Sequence, residues 1–304
     1  MIGVILEAGR PESCEPATST RPLDSFPVAN VPLGEFLAMR LEGAGFEVTT
    51  QAAGPSLSLY LPADSWVSDE SLGRFQEAGC PTVLKAAGGE ALAWVGESVE
   101  VPEAPALLAA DPGSFRIRFP WDLLKVHEMA VAQILDAGPA GRPPPGVSID
   151  GRLRLGAGTR FLPGVYVEGD VLIGRNCVIG PNCYLRGRTS IGDGCRIGQG
   201  VEIKNSVILS GTSIGHLSYC GDSIVGEGVN FGAGTIVANF RHDSKNHHSM
   251  VGGSLVDTGR RKFGAVIGDG VHTGIHTSIY PGRKLWPHTS TRPGDIVRHD
   301  LRAE

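Results

Sequence analysis

No stretch of this sequence is apolar over the roughly 20 residues that a membrane-crossing helix needs. Aromatic residues are scarce, 6% of 304, which argues against a broad core packed on large rings. Basic residues are not in excess. The 27 Lys and Arg against 32 Asp and Glu leave a net charge of −5, which speaks against a general nucleic-acid or membrane-surface binder but leaves room for a local cationic site. The six cysteines form no C-x-x-C pair and no zinc-ligand spacing, so they give no metal site and fit a reducing compartment. The opening MIGVILEAGR has no basic leader before its short apolar run. It reads as a buried strand, and the expected location is the cytoplasm.

Glycine is abundant instead. The 43 glycines lack the period of three of a collagen, and a turn-dense repeat would use them.

Residues 1–110 read as a small α/β domain. Strands are expected at 2–6, 47–50, 57–61 and 82–85, with helices starting near Leu33 and over DESLGRFQEAG, an alternation that implies a parallel or mixed sheet. Residues 111–146 read as a connecting helix (119–135) followed by a Pro/Gly-rich linker, AGPAGRPPPG. From 147 to 304 the period changes. Ile149, Leu155, Phe161, Val167, Ile173, Ile179, Leu185, Ile191, Ile197, Ile203 and Leu209 are apolar at steps of six. The fifth position of each hexad is small or β-branched and includes Cys177, Cys183 and Cys195, which therefore read as core packers rather than ligands. The fold expected for this half is an all-β, left-handed parallel β-helix in which three hexads close one coil and neighbouring coils bury each other's interior. The pattern slips by one residue at Ile214 and again at Val225. It breaks over the polar, His- and Arg-rich segment 239–263 and resumes at Ile267. A long insertion in a regular solenoid reads as an exposed functional loop.

Two basic residues, Arg186 and Lys204, stand where the hexad favours glycine, and they are three hexads apart. One full coil separates them, so they should stack on one face. Stacked like charges carry a modest cost, which a bound phosphate or carboxylate would offset; the bland alternative is a solvated basic stripe. Just downstream, His216, Tyr219, Asn230, Asn239 and Lys245 fall within two coils and the loop root. Histidine can take a proton from an amine near neutral pH. Asparagine and backbone donors can stabilise the oxyanion formed when that amine attacks a thioester.

The motifs GHLSY, GAGTIVANFRHDSK and TGRRKFGAVIGDGVHTGIHTSIYPG resemble the acetyltransferase half of the bifunctional uridylyltransferase/glucosamine-1-phosphate acetyltransferase family, and most of all its archaeal sugar-1-phosphate nucleotidylyltransferase/amino-sugar acetyltransferase relatives. The resemblance covers about residues 150–298. It implies His216 as general base for the sugar amine, Glu202 as a carboxylate near that histidine, and Asn239 orienting the amine or acetyl group. It implies Arg186, Lys204, Tyr219, Asn230 and Lys245 as holders of the sugar phosphate and ring, and Ala233 and Ile275 at the acetyl-CoA site. Acetyl-CoA as acyl donor, an amino-sugar phosphate or amino-sugar nucleotide as acceptor, and a homotrimer with its site between subunits follow from the same resemblance. Two departures are visible. Phe240 stands where the bacterial members tend to carry Tyr, and Ile275 where they carry a small polar residue.

The N-terminal domain is similar to a shortened nucleotidyltransferase start, through VILEAGR and TRPLDSFPVANVPL. Nucleotidyl transfer needs a glycine-rich phosphate loop, a cation and Mg²⁺-binding carboxylates. Here AGRPESCEP has no second glycine, Arg21 stands for the usual lysine, and Asp64 echoes one carboxylate. A degenerate domain is the expectation, and Mg²⁺ enters only if that domain is active. The competing functions are thus a sugar-1-phosphate nucleotidylyltransferase and a non-catalytic trimeric scaffold.

Overall fold

A computed structural model describes residues 1–49, 56–137 and 145–302. Thr50 and most of the Pro/Gly linker lie outside these residues. The chain divides into two compact units, one formed by 1–11, 22–26 and 31–118, the other by 12–21, 27–30 and 119–304.

The first unit is built on a six-stranded mixed sheet in the order Glu47–Thr49, Ile2–Leu6, Ser58–Pro62, Ala91–Gly96, Thr82–Lys85, Ala106–Ala109. The first three strands are parallel, as the alternation of strands and helices requires, and Ala91–Gly96 runs antiparallel to both of its neighbours. The last strand and Ala91–Gly96 were not expected from the sequence. Helix α1 (Leu33–Gly43) buries Leu33, Phe36, Leu37 and Leu41. Helix α2 (Asp69–Gln76) starts at Ser68, whose hydroxyl accepts from the Ser71 N–H at 3.1 Å and so satisfies one of the free N–H groups of the first turn.

The second unit is the solenoid, a parallel β-helix running from the strand Val147–Leu155 to Ile296–Val297. Its interior is a stack of the residues that the six-residue period selects. Val167, Ile179, Leu185, Ile191, Ile197 and Ile203 are fully buried, as are Ile214, Val225 and Val237 beyond the slips. Each such aliphatic side chain stabilises the fold by about 1.5–3 kcal/mol relative to exposure. Cys177, Cys183 and Cys195 lie in the same core. The first coils repeat at three full hexads (Tyr166 with Tyr184, Arg186 with Lys204), and the next are one residue shorter (Lys204 with Gly221, Ile214 with Phe231). A much longer step follows, from Ile236 to Ser278, which is one short coil plus the segment 239–263. The insertion is not all loop: His248–Val251 and Ser254–Asp257 form an antiparallel hairpin within it.

Helix α3 (Pro120–Asp136) belongs to the solenoid unit and packs against the coil strands Val165–Ile173 and Tyr184–Ile191. Proline at its first turn costs no hydrogen bond. Its buried His127 accepts from the Ala29 N–H at 3.1 Å and reaches the Arg188 carbonyl at 3.2 Å through Nε2. The ring is therefore the neutral tautomer with its proton on Nε2. Burial holds its pKa down at about 4.

Candidate functional site

The two cations predicted to stack do so: Arg186 and Lys204 are register partners on adjacent coils, with Glu168 below and Gly221 above. They do not face each other as bare charges. Arg186 donates to Glu202 through Nε (2.8 Å) and a terminal nitrogen (2.6 Å), and its guanidinium lies 5.1 Å from the Tyr184 ring centre. Lys204 Nζ donates to Asp222 at 2.9 Å. Each cation is held by one carboxylate, so an incoming anion meets preoriented but partly neutralised partners. Gly221 ends the column for a steric reason. A Cβ there would come to 2.6 Å from Asn239 Nδ2 and collide with the Tyr219 hydroxyl.

Beside this column runs a second one made of turn residues. Gly151, Gly169 and Gly187 are register partners on successive coils and all have positive φ. On the next two coils the turn loses one residue, and its left-handed position passes to Asn205 (φ +49°) and Asp222 (φ +51°). Asn and Asp are the side-chain-bearing residues that tolerate this conformation best. Asn239, one short coil further on, is the root of the insertion.

The result is a polar ladder. Asn205 Nδ2 donates to Asp222 Oδ1 at 3.1 Å, and Asn239 Nδ2 donates to Asp222 Oδ2 at 2.5 Å and to the Tyr219 hydroxyl at 2.9 Å. Both N–H groups of Asn239 are thereby spent, and its Oδ1 is the end left to meet a ligand. Tyr219, burdened first by burial and then by the charges of Asp222 and Glu202, is pushed up to about 12 and keeps its proton at neutral pH. Asp222, almost fully buried, is the central member, and sequence reasoning missed it. The slip in period was its only trace.

The insertion is fixed at its root. The Asn239 carbonyl accepts from the Phe263 N–H and from His247 Nε2, both at 3.0 Å. Phe263, fully buried, meets Trp121 of α3 edge-on at 5.9 Å. Arg260 pairs with Glu128 of α3, which also accepts from Asn205 at 2.7 Å. An open pocket of about 510 Å³ beside the root is lined by Ala238, Phe240, Arg241, His242, Asp243, Tyr280 and Pro281.

His216 ends the strand Ser213–His216 in the other, five-stranded sheet, is exposed, and has Gln199 as register partner. The strand pairing places Ala233 one coil above it and Ile275 above that, with the Gly234 N–H donating to the His216 carbonyl at 3.1 Å and the His276 N–H to the Ala233 carbonyl at 2.8 Å. The turn next to this corner is left-handed on every one of these coils, with Gly200, Leu217, Gly234, His276 and Gly294 at positive φ. Leu217 and His276 are the two of these that are not glycine. For Leu217, a bulky residue at φ +48° costs about 1–2 kcal/mol, and its side chain is 65% exposed.

The predicted residues thus fall into groups. Arg186, Glu202, Lys204, Tyr219 and Asn239 are joined, directly or through Asp222, on one face. His216, Ala233 and Ile275 share a corner, and Asn230 lies just before Ala233 on the same coil. Lys245 sits in the insertion, where its N–H meets Asp243 at 3.2 Å. Glu202 is bound to Arg186, and no hydrogen bond joins it to His216 among the described residues.

The residues proposed for nucleotide chemistry are engaged elsewhere. Arg21 is ion-paired with Glu227 (2.7 Å) and Asp269 of the solenoid unit, to which Thr20 also donates at 2.6 Å. Asp64 is paired with Arg116. No group of three or more His, Cys, Asp or Glu side chains that could hold a metal occurs among the described residues.

Comparison with known proteins places the resemblance on the coils just described. The family described as "GMPPB C-terminal domain" matches residues 167–290. A bifunctional sugar-1-phosphate nucleotidylyltransferase/acetyltransferase of Sulfurisphaera tokodaii is 50% identical over 101 residues, 33% of this chain and 25% of the relative. The bifunctional protein GlmU of Methanococcus vannielii is 46% identical over 103 residues, 34% and 25% respectively. The chain thus spans about a quarter of the length of these curated relatives. Among solved structures, a hexapeptide transferase family protein of Anaplasma phagocytophilum aligns with 50% of this chain and 75% of its own at 18% identity and a TM-score of 0.24.

Proposed function

We propose that the solenoid transfers an acetyl group from acetyl-CoA to the amine of an amino-sugar 1-phosphate, or of the corresponding amino-sugar nucleotide. The single observation that carries this reading is the junction of an anion column, Arg186 and Lys204, with the amide of Asn239, which is bonded to Tyr219, three residues after His216. A phosphate at the column shares the two cations with Glu202 and Asp222, using the donor capacity that each carboxylate leaves free. Asn239 Oδ1 accepts from one amine N–H and so turns the nitrogen lone pair outward. His216 takes the amine proton as the C–N bond forms and the thioester C–S bond breaks, leaving CoA thiolate. Tyr219, still protonated, supplies a hydroxyl donor to the sugar or the developing oxyanion.

The corner fits an acyl donor. Leu217 and Ile275, 65% and 50% exposed, form apolar flanks about Ala233 that suit the methylene-rich arm of CoA. CoA brings the activated acetyl group, and the chain's own residues do the positioning. A homotrimer is part of the reading. The division of the residues into a face, a corner and an insertion is what a site completed by a second copy needs, with Asn230 and Lys245 as the groups to be supplied across the interface.

The test is thiol release from acetyl-CoA with glucosamine 1-phosphate, comparing the natural protein with His216→Ala. Loss of a general base lowers kcat by about 10²–10⁴-fold, and that loss is expected here. Equal rates in the two proteins, or no thiol release with any amino-sugar phosphate or nucleotide, would sink the proposal. Pyrophosphate release from a nucleoside triphosphate and a sugar 1-phosphate would instead point to the N-terminal domain. Silence in both assays from a stable trimer would favour a scaffold.

A further inference from the structure

We infer that Asp222 is the positioning residue of this site and that α3 anchors it from outside the coils, through Glu128. The inference deepens the acetyl-transfer reading but stands on its own contacts. Asp222 is 2% exposed, and its two carboxylate oxygens take three hydrogen bonds: from Lys204 Nζ, Asn239 Nδ2 and Asn205 Nδ2. A buried carboxylate persists only with such a set of partners. The donors come from the coil below and from the root of the insertion, so one charge fixes the relative placement of the cation column and the amide.

The consequence for Asn239 is specific. An asparagine amide has two nearly isosteric ends, and its neighbours decide which one faces outward. A carboxylate on one side and the Tyr219 hydroxyl on the other draw both N–H groups inward, so the carbonyl oxygen is presented. Without the negative charge of Asp222 this preference disappears and the amide can turn.

The chain of contacts continues beyond Asp222. Asn205 Nδ2 also donates to Glu128, and Glu128 pairs with Arg260 on the returning limb of the insertion. The insertion therefore leaves the solenoid at Asn239, held by Asp222, and comes back past Arg260, held by Glu128, with Asn205 bridging the two carboxylates. Arg260 has 19% of its side chain exposed and Glu128 20%, which shields the pair enough for it to outweigh an ordinary surface ion pair. Helix α3 is itself fixed to the coils by His127 and Trp121. It thus serves as a fixed post for both the insertion and the amide.

The variants are Asp222→Asn, which keeps shape and removes charge, and Glu128→Gln, which touches neither the cation column nor Asn239. Two readouts are taken on the full-length chain. The first is thiol release, which should lose at least ~30-fold in kcat for Asp222→Asn and about 3-fold for Glu128→Gln, with the KM for acetyl-CoA unchanged in both. The second is limited trypsin digestion within 239–263, which contains Arg241, Lys245, Arg260, Arg261 and Lys262. Cleavage follows local opening, and it should quicken at least ~5-fold in both variants while the thermal midpoint stays within a few degrees of the natural protein.

Unchanged cleavage in both variants overturns the anchoring, and an unchanged kcat in Asp222→Asn overturns the positioning role. If Asp222→Asn does not fold, Glu128→Gln decides: faster cleavage with lower kcat supports the inference, and neither change overturns it. If the natural protein releases no thiol with any acceptor, the acetyl-transfer reading fails on its own, and the digestion rates still judge the anchoring.

Discussion

The lower and upper coils of the solenoid solve the same turn in two ways. Up to Gly187 the left-handed turn column is glycine, the coil is three full hexads, and the outer face carries ladders of charge such as Arg152 with Asp170. From Asn205 upward the coil is one residue shorter, and the same column carries Asn205 and Asp222. Around the other corner Leu217 stands between Gly200 and Gly234 in the same way. Glycine makes these turns at no steric cost. Asn205, Asp222 and Leu217 are side chains of this kind in or beside the candidate site, while Asn176, Asn182 and His288 take the same conformation away from it. The change from glycine to Asn205 and Asp222 in this column coincides with the shortening of the coil by one residue.

The largest test of this contrast concerns how α3 grips the two kinds of turn. The lower turn is held through its backbone, by His127 on the Arg188 carbonyl, and the upper through side chains, by Glu128 on Asn205. His127 is buried and neutral, with a pKa depressed to about 4, so the unfolded chain binds its proton first. The stability it contributes is present above the unfolded value near 6.5 and is lost as pH falls toward 4. About 2 kcal/mol should vanish between pH 7 and pH 5, read by denaturant unfolding at the two values. His127→Gln should flatten that dependence, and an unchanged pH slope would mean that the helix is held by other contacts.

A smaller effect is expected at the charge column. Arg186→Ala removes the lower cation and leaves Glu202 unpaired, which should raise KM for the amino-sugar phosphate about 10-fold, or ~1.4 kcal/mol, with little change in the KM for acetyl-CoA. A larger loss in kcat than in affinity would show that the lower coil does more than bind. The smallest effect, and the one with opposite sign, is at Leu217. Replacing it with glycine relieves the left-handed strain and should stabilise the fold by up to ~1 kcal/mol, while acetyl transfer falls. A variant that is both more stable and fully active would reduce Leu217 to a tolerated turn residue.

Much of this molecule is legible in the sequence because a solenoid writes its fold as a period. The core from Val167 to Leu285 follows from the step of six, and the stacking of Arg186 on Lys204 follows from the closing of a coil every three hexads. The strand Ala106–Ala109 escapes notice because it is short and largely exposed, with no alternation to betray it. Asp222 escapes for a different reason. In a one-dimensional reading, GDS is an ordinary turn, and only the register shows that its aspartate is stacked on Asn205 and within reach of Lys204 and Asn239. The slip at Ile214 announced that something had changed, but not which residue gained by it. The hydrogen bonds of Asn239 needed geometry as well, since sequence names an amide but not which of its ends is engaged. Arg21, a tempting stand-in for a phosphate-binding lysine, is committed to Glu227 and Asp269.

The long step from Ile236 to Ser278 places two ordinary neighbours in the stack with the whole of segment 239–263 looped out between them. The looped segment leaves and returns at adjoining points, Asn239 and Phe263, where the Phe263 N–H donates to the Asn239 carbonyl at 3.0 Å and Phe240 pairs antiparallel with Lys262. Beyond the neck, the Ser249 hydroxyl donates to the Gly282 carbonyl at 2.9 Å, which seats the hairpin on the coil above. Such a socket lets natural variation, or a designer, exchange one insert for another and change what is recognised, while the rod beneath keeps its pitch and its partners.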